Sequence, residues 1–242
     1  MKNYYLLPLL ITAFIISTSN HIQAQDRIVN VSEFVENATT RIYTTGTKEV
    51  EGSPLLMDSF VPGRVILRDG KMSEIVMLNY DSHRNQLLIK NNDTDVLILD
   101  HRNIKEFVFL TSNRAGVDKR FNYSVRMPEL GLEELTPVEI LFQGENSGLK
   151  LFTVHKTSFS QATRPDPLTG KMVDRYISKS NTYIQKPDGT TEEINRIRIS
   201  RVIDTFNEDQ RELLENYVDD NDLNNRSTED LIKLLGYFDS TF

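Results

Sequence analysis

Apolar positions along the chain change their spacing twice. Residues 4–16 are almost unbrokenly apolar, those from about 40 to 200 come in short runs bounded by turn-forming residues, and those beyond about 200 recur every three or four positions. The middle stretch reads as strands. Residues 64–68 and 74–78 flank Asp69-Gly70-Lys71, and an Asp-Gly pair between β-rich runs marks a tight hairpin because glycine accepts the positive φ the turn needs. Strands at 86–90, 96–99 and 104–110 follow, separated by turns at 91–93 and 101–103. After a break marked by Pro128, Gly131 and Pro137, residues 138–142 pair with 149–154 across 144–148. A loop over about 160–170 carries Pro165, Pro167 and Gly170, and a last hairpin joins 182–185 to 190–199 through Pro187-Asp188-Gly189. Within it, Arg196 and Arg198 fall on one strand face and Ile197 and Ile199 on the other, as a two-residue period requires. Short strands at this spacing predict an antiparallel meander forming a sandwich or barrel-like domain.

The last forty residues follow a helical period. Asn207, with Gln210 three places on, is an N-cap signature, and Leu213, Leu214, Tyr217 and Val218 form one face. Ser227 with Asp230 opens a second helix whose Leu231, Leu234, Leu235 and Phe238 make a stripe. Both stripes predict packing against the β domain. The fold class expected is mainly β with C-terminal helices, α+β overall.

The first stretch changes the picture of where the protein resides. Lys2 precedes the apolar run, and Ile22-Gln23-Ala24 offers a small residue before Gln25. This is the layout of a cleaved export signal, and its apolar core is shorter than the roughly 20 residues needed to span a bilayer. The expected division is a signal peptide at 1–24, a β domain at 25–200 and a helical segment at 201–242, with no transmembrane span after cleavage. The chain of 242 residues has no cysteine, which excludes disulfides, cysteine-zinc sites and attachment through a lipobox cysteine. A net charge of −7 argues against nucleic acid as a partner. The charge is uneven: net −5 over 25–149, +5 over 150–202 and −8 over 203–242. Docking of the basic stretch on the acidic helices is one use of that asymmetry, and binding an external polyanion is another.

Several blocks carry a resemblance. Gly63-Arg-Val-Ile-Leu-Arg-Asp-Gly70, Met77-Leu-Asn-Tyr-Asp81 and Leu87-Leu-Ile-Lys90, with the tail Phe206-Asn-Glu-Asp, Leu213-Leu-Glu-Asn-Tyr217 and Thr228-Glu-Asp-Leu-Ile-Lys-Leu-Leu235, resemble small exported proteins of Bacteroidota that have no assigned activity. The likeness implies a fold and an envelope location; its motifs are turns, strand cores and helix stripes, so it carries no catalytic residue.

Motifs for chemistry are sparse. His83, His101 and His155 show no metal-ligand spacing and read as surface or turn histidines. Asp220, Asp222 and Asn224 match the first calcium-loop positions, but Asn225 stands where glycine is required and Leu231 where a bidentate glutamate is, so a solvated helix linker is expected and no metal or cofactor. Gly144-Glu-Asn-Ser-Gly148 places its serine one position late for a nucleophile elbow. The adjacent acids Glu133-Glu134 and Glu192-Glu193 point to opposite strand faces and form no acid/base pair. The expected function is a non-catalytic binding or assembly module of the envelope, periplasmic or secreted, partnered by an envelope protein or an anionic glycan. The alternative is a hydrolase acting on envelope glycans through carboxylates the sequence does not single out. The residues expected to bind an anion or partner are Arg164, Lys171, Arg175, Lys179, Arg196 and Arg198, in the loop-and-hairpin region around Pro165 and Pro167.

Overall fold

The computed structural model describes residues 28–29, 41–43, 50–90, 95–110, 118–123, 127, 130, 132, 135–165 and 170–242. The export signal and Glu133-Glu134 lie outside the described residues. Within them the chain is mainly antiparallel β with helices at its C-terminal end. The first strands are β1 (Ile28–Val29), β2 (Arg41–Ile42), β3 (Val61–Leu67), β4 (Met72–Ser73), β5 (Val76–Asp81), β6 (Gln86–Lys90) and β7 (Val96–Leu99). A 3-10 turn at His101–Asn103 leads into β8 (Ile104–Phe109), β9 (Lys119–Asn122) and β10 (Val138–Gln143). The last strands are β11 (Lys150–Ser160), β12 (Arg175–Gln185) and β13 (Thr191–Ile194). All belong to one sheet of order β13-β12-β11-β10-β9-β8-β3-β5-β6-β7-β2, with β4 pairing β3 and β1 running parallel to β4. The sheet is thus two meanders that meet at β3, which has β5 on one side and β8 on the other.

The Asp69-Gly70 turn forms as its residues dictate. Gly70 has φ +85°, and the Asp69 carboxylate accepts from the Lys71 N–H at 3.1 Å. The returning strand is broken after Ser73, because β3 pairs Ile66 with Met72 but Gly63 with Val76, one residue out of register. The Ser73 hydroxyl fills the gap by accepting from the Val65 N–H at 3.0 Å.

The half of the sheet from β3 to β9 surrounds an aromatic core. Phe107 stacks on Phe121 with ring centres 4.7 Å apart and meets Phe109 edge-on at 5.3 Å; Tyr80 and Tyr123 complete the cluster, all of it buried. At the other end, Leu149, Leu151, Ile184 and Ile194 on one face of β11 to β13 pack with the helices. These are α1 (Ile199–Ile203), α2 (Glu208–Asp220) and α3 (Thr228–Thr241). The capping residues act as their types predict: the Asn207 side chain accepts from the Gln210 N–H at 2.9 Å and Ser227 from the Asp230 N–H at 3.1 Å. Leu231, Leu234, Leu235 and Phe238 of α3 are fully buried, and Phe206 meets Phe238 at 4.7 Å.

One expectation needs correction here. The strand expected to run through Ile199 ends at Ile194, and Ile199 instead opens α1. Ile199, Val202 and Ile203 recur at helical spacing and all three are buried with the other helices, so burial on that core outweighs the short strand-like alternation. The helices do dock on the basic stretch, against Leu151, Ile184 and Ile194, but among the described residues no salt bridge joins the two. Their seam is apolar, and Asp239 anchors it by accepting from the backbone N–H groups of Glu145, Asn146 and Ser147 and from the Ser147 hydroxyl at 2.6 Å. Gly144 is required at that loop because a Cβ there would stand 2.2 Å from Asp239 Oδ1.

Candidate functional site

The hairpin of β11 and β12 is longer than the sequence pattern shows. Its strands pair over eleven residues each, from Lys150 opposite Gln185 to Ser160 opposite Arg175. Neighbouring strands cover only its base: β10 pairs Lys150 to Thr153, and β13 pairs Thr182 to Gln185. The rest projects as a two-stranded ribbon. It is tied back at its far end by Glu51, which bridges Arg175 through backbone and side chain, and by Ser82, whose carbonyl accepts from the Thr157 N–H at 3.3 Å. Residues 175–181 lack apolar alternation, which is why the sequence pattern starts this strand only at 182. Beside the backbone ladder to β11, hydroxyls pair across the two strands. Thr153 meets Thr182 at 2.9 Å, His155 Nδ1 meets the Ser180 hydroxyl at 2.8 Å, and Thr157 meets Ser178 at 2.9 Å, all cross-strand rungs on the inner face.

The middle rung extends inward. His155 Nε2 lies 2.6 Å from Glu139, and Lys119 Nζ lies 2.9 Å from the other Glu139 oxygen. Burial opposes a charge on Glu139, but the hydrogen bonds from His155 and Lys119 outweigh it and hold the carboxyl below its ordinary value. With Glu139 ionised, Nε2 carries the hydrogen, so in the neutral ring Nδ1 accepts from Ser180. His155 is therefore neither a surface nor a turn histidine. The order hydroxyl, imidazole, carboxylate is that of an activated serine. Its setting is different: hydroxyl pairs occupy the same register on both sides, and the three make one rung of a polar ladder that links β10, β11 and β12. Fully satisfied networks of this kind make the pairing of a sheet specific.

The outer face of the ribbon is cationic. Lys156 stands directly opposite Lys179, Ser158 opposite Ile177, and Ser160 opposite Arg175. Among the described residues neither Lys156 nor Lys179 has an ion pair, whereas Arg175 Nε lies 2.6 Å from Glu51. The two strands hold four Lys and Arg and no Asp or Glu. At the tip, Phe159 meets Tyr176 at 5.4 Å and Tyr176 meets His83 at 5.4 Å, with Phe159 43% and Ile177 53% exposed.

The six residues expected to bind a partner divide among three places. Arg164 and Arg175 line a cavity of about 260 Å³ at the tip, with Ser160 and Pro165. Lys179 is at mid-ribbon, and Lys171 is exposed in the segment leading to β12 with interactions of its own. Arg196 and Arg198 line a separate cavity of about 420 Å³ beyond β13, joined by Arg201 and by Glu192, Glu193 and Asp204. Seven residues of strand, about 23 Å at 3.3 Å per residue, separate Arg175 from Thr182, where β13 ends its pairing. The residue missed in the sequence is Lys156, which is identifiable only once β12 is known to reach Arg175. The Asp219–Asn225 linker is closed on itself: the Asp230 carboxylate accepts from the Asn224 N–H and the Asn224 side chain from the Arg226 N–H. No group of three or more His, Asp or Glu among the described residues is placed to hold a metal.

No family model, no curated protein and no solved structure matches this chain.

Proposed function

We propose that the protein is exported to the cell envelope and acts there as a non-catalytic binding or assembly protein, with the outer face of the β11–β12 ribbon as its recognition surface for an anionic ligand. The observation that carries this reading is the facing pair Lys156 and Lys179 on an acid-free ribbon of a chain with net charge −7. Like charges set directly opposite on a sheet work against pairing, and an anion seated between them reverses that cost. The Ser160 hydroxyl on the same face adds a hydrogen-bond donor suited to sulfate, phosphate or carboxylate oxygens, whereas that of Ser158 donates to the Ile177 carbonyl at 3.3 Å. Export is supported by the Lys2, apolar 4–16 and Ala24 pattern. The test is salt-dependent retention on an immobilised anionic polysaccharide. Changing Lys156, Arg175 and Lys179 together to Gln is expected to move elution to clearly lower salt, and changing Arg196 and Arg198 to Gln is expected to leave it within the spread of the parent. Equal retention of the first variant and the parent refutes the assignment.

A further inference from the structure

We propose that the open edge of β12 takes up an extended, acidic segment of a partner protein as an added strand; this rests on the reading of the ribbon as the recognition surface. On one side β12 is paired with β11 throughout. On the other, β13 covers Thr182 to Gln185, and Glu51 pairs at Arg175 and Tyr176. Between them, the outward backbone groups of residues 177–181 have no backbone partner among the described residues. An edge of unpaired N–H and C=O groups is a template for another strand, and addition of a strand is an established way of binding extended peptides.

The side chains on that edge select the occupant. Ile177 and Lys179 share the outer face, as i and i+2 of a strand must, and Lys156 flanks Lys179 from β11. An added strand with a carboxylate beside Lys179 and an apolar residue two places away beside Ile177 pairs with both. The exposed side chain of Ile177 loses contact with water, and the two ammonium groups gain a counter-charge. A second copy of this chain is the wrong occupant. Antiparallel pairing of two open edges about their centre sets each copy's Lys179 against the other's, and like charges directly opposite oppose pairing. The lysine thus acts against self-association while favouring an acidic strand.

The experiment uses the full chain and a capped seven-residue peptide, Thr-Val-Thr-Glu-Thr-Val-Thr, titrated by calorimetry. It is expected to bind with Kd below about 1 mM, and the same peptide with Lys in place of Glu at least about tenfold more weakly. Methylating the backbone nitrogens on one edge of the peptide removes donors without changing charge, and is expected to cost about tenfold or more. Lys179→Glu is expected to reverse the preference between the two peptides, with its fold checked by circular dichroism. Undiminished binding of the methylated peptide overturns strand addition. So does failure of the acidic peptide to bind while retention on the anionic polysaccharide persists, and that result leaves the wider reading of the ribbon intact. Loss of both overturns both.

Discussion

Asp239 shows how one carboxylate can close a fold. It sits near the end of α3 and fills the concave backbone of the β10–β11 turn, accepting from three consecutive N–H groups and from Ser147. Those bonds, first the one from the Ser147 hydroxyl, hold its carboxyl down to about 2 against an ordinary 3.8. A carboxyl depressed on folding contributes stability that is present above its unfolded value and is lost as pH falls through the folded one. The helix anchor is therefore expected to weaken between about pH 4 and pH 2. Melting temperature followed across that window should fall less steeply for Asp239→Asn, which should start from a lower Tm at pH 7. Tyr123 is the opposite case. Its hydroxyl is buried with no hydrogen-bond partner among the described residues, and such a group costs about 1–3 kcal/mol. Tyr123→Phe keeps the ring in the aromatic cluster, so it is expected to stabilise the protein by about 1 kcal/mol in urea unfolding; a loss of that size would show that the hydroxyl is satisfied in solution.

At the scale of elements, the hairpin of β11 and β12 serves two unlike environments. Its base contributes Leu149, Leu151 and Ile184 to the helix-facing core, and its outer half carries the hydroxyl ladder and the lysine pair. Sequence alternation marks a strand by the water-averse side chains it buries. The strands at 86–90, 96–99 and 104–110 were legible for that reason and match β6, β7 and β8 to within a residue. Residues 175–181 were not, because each inner hydroxyl is satisfied only by a partner on β11 some twenty to thirty residues away. Arg164, Lys171, Arg175, Lys179, Arg196 and Arg198 are neighbours in the sequence, but their division between the tip, the middle and the far cavity follows from a strand length that local pattern does not encode.

For the whole molecule, the helices act as a cover. Leu231, Leu234, Leu235 and Phe238 of α3 bury the face formed by Leu149, Leu151, Ile184 and Ile194. Ending the chain after Arg198 removes all three helices and exposes that face. The truncated protein is expected to bind a hydrophobic dye and to aggregate at concentrations where the parent stays monodisperse in light scattering, since contiguous exposed apolar surface drives association. A truncated chain that stays monodisperse with the parent's melting profile would mean that the β sheet closes its core without them.

By itself the sequence determined the class of fold, most strand and turn positions, both long helices with their capping residues, and the excess of positive charge between 150 and 202. These are local properties, set by side-chain period, turn geometry and composition. Tertiary structure decided the rest. It joined the strands into one sheet meeting at β3, turned Ile199 from strand to helix, and seated Asp239 on the N–H groups of residues 145–147. It also placed His155 between Glu139 and Ser180 and set Lys156 against Lys179. Each of these depends on which distant backbone or side chain supplies a hydrogen bond, a counter-charge or a buried neighbour, and that is settled only when the strands pair and the helices close over them.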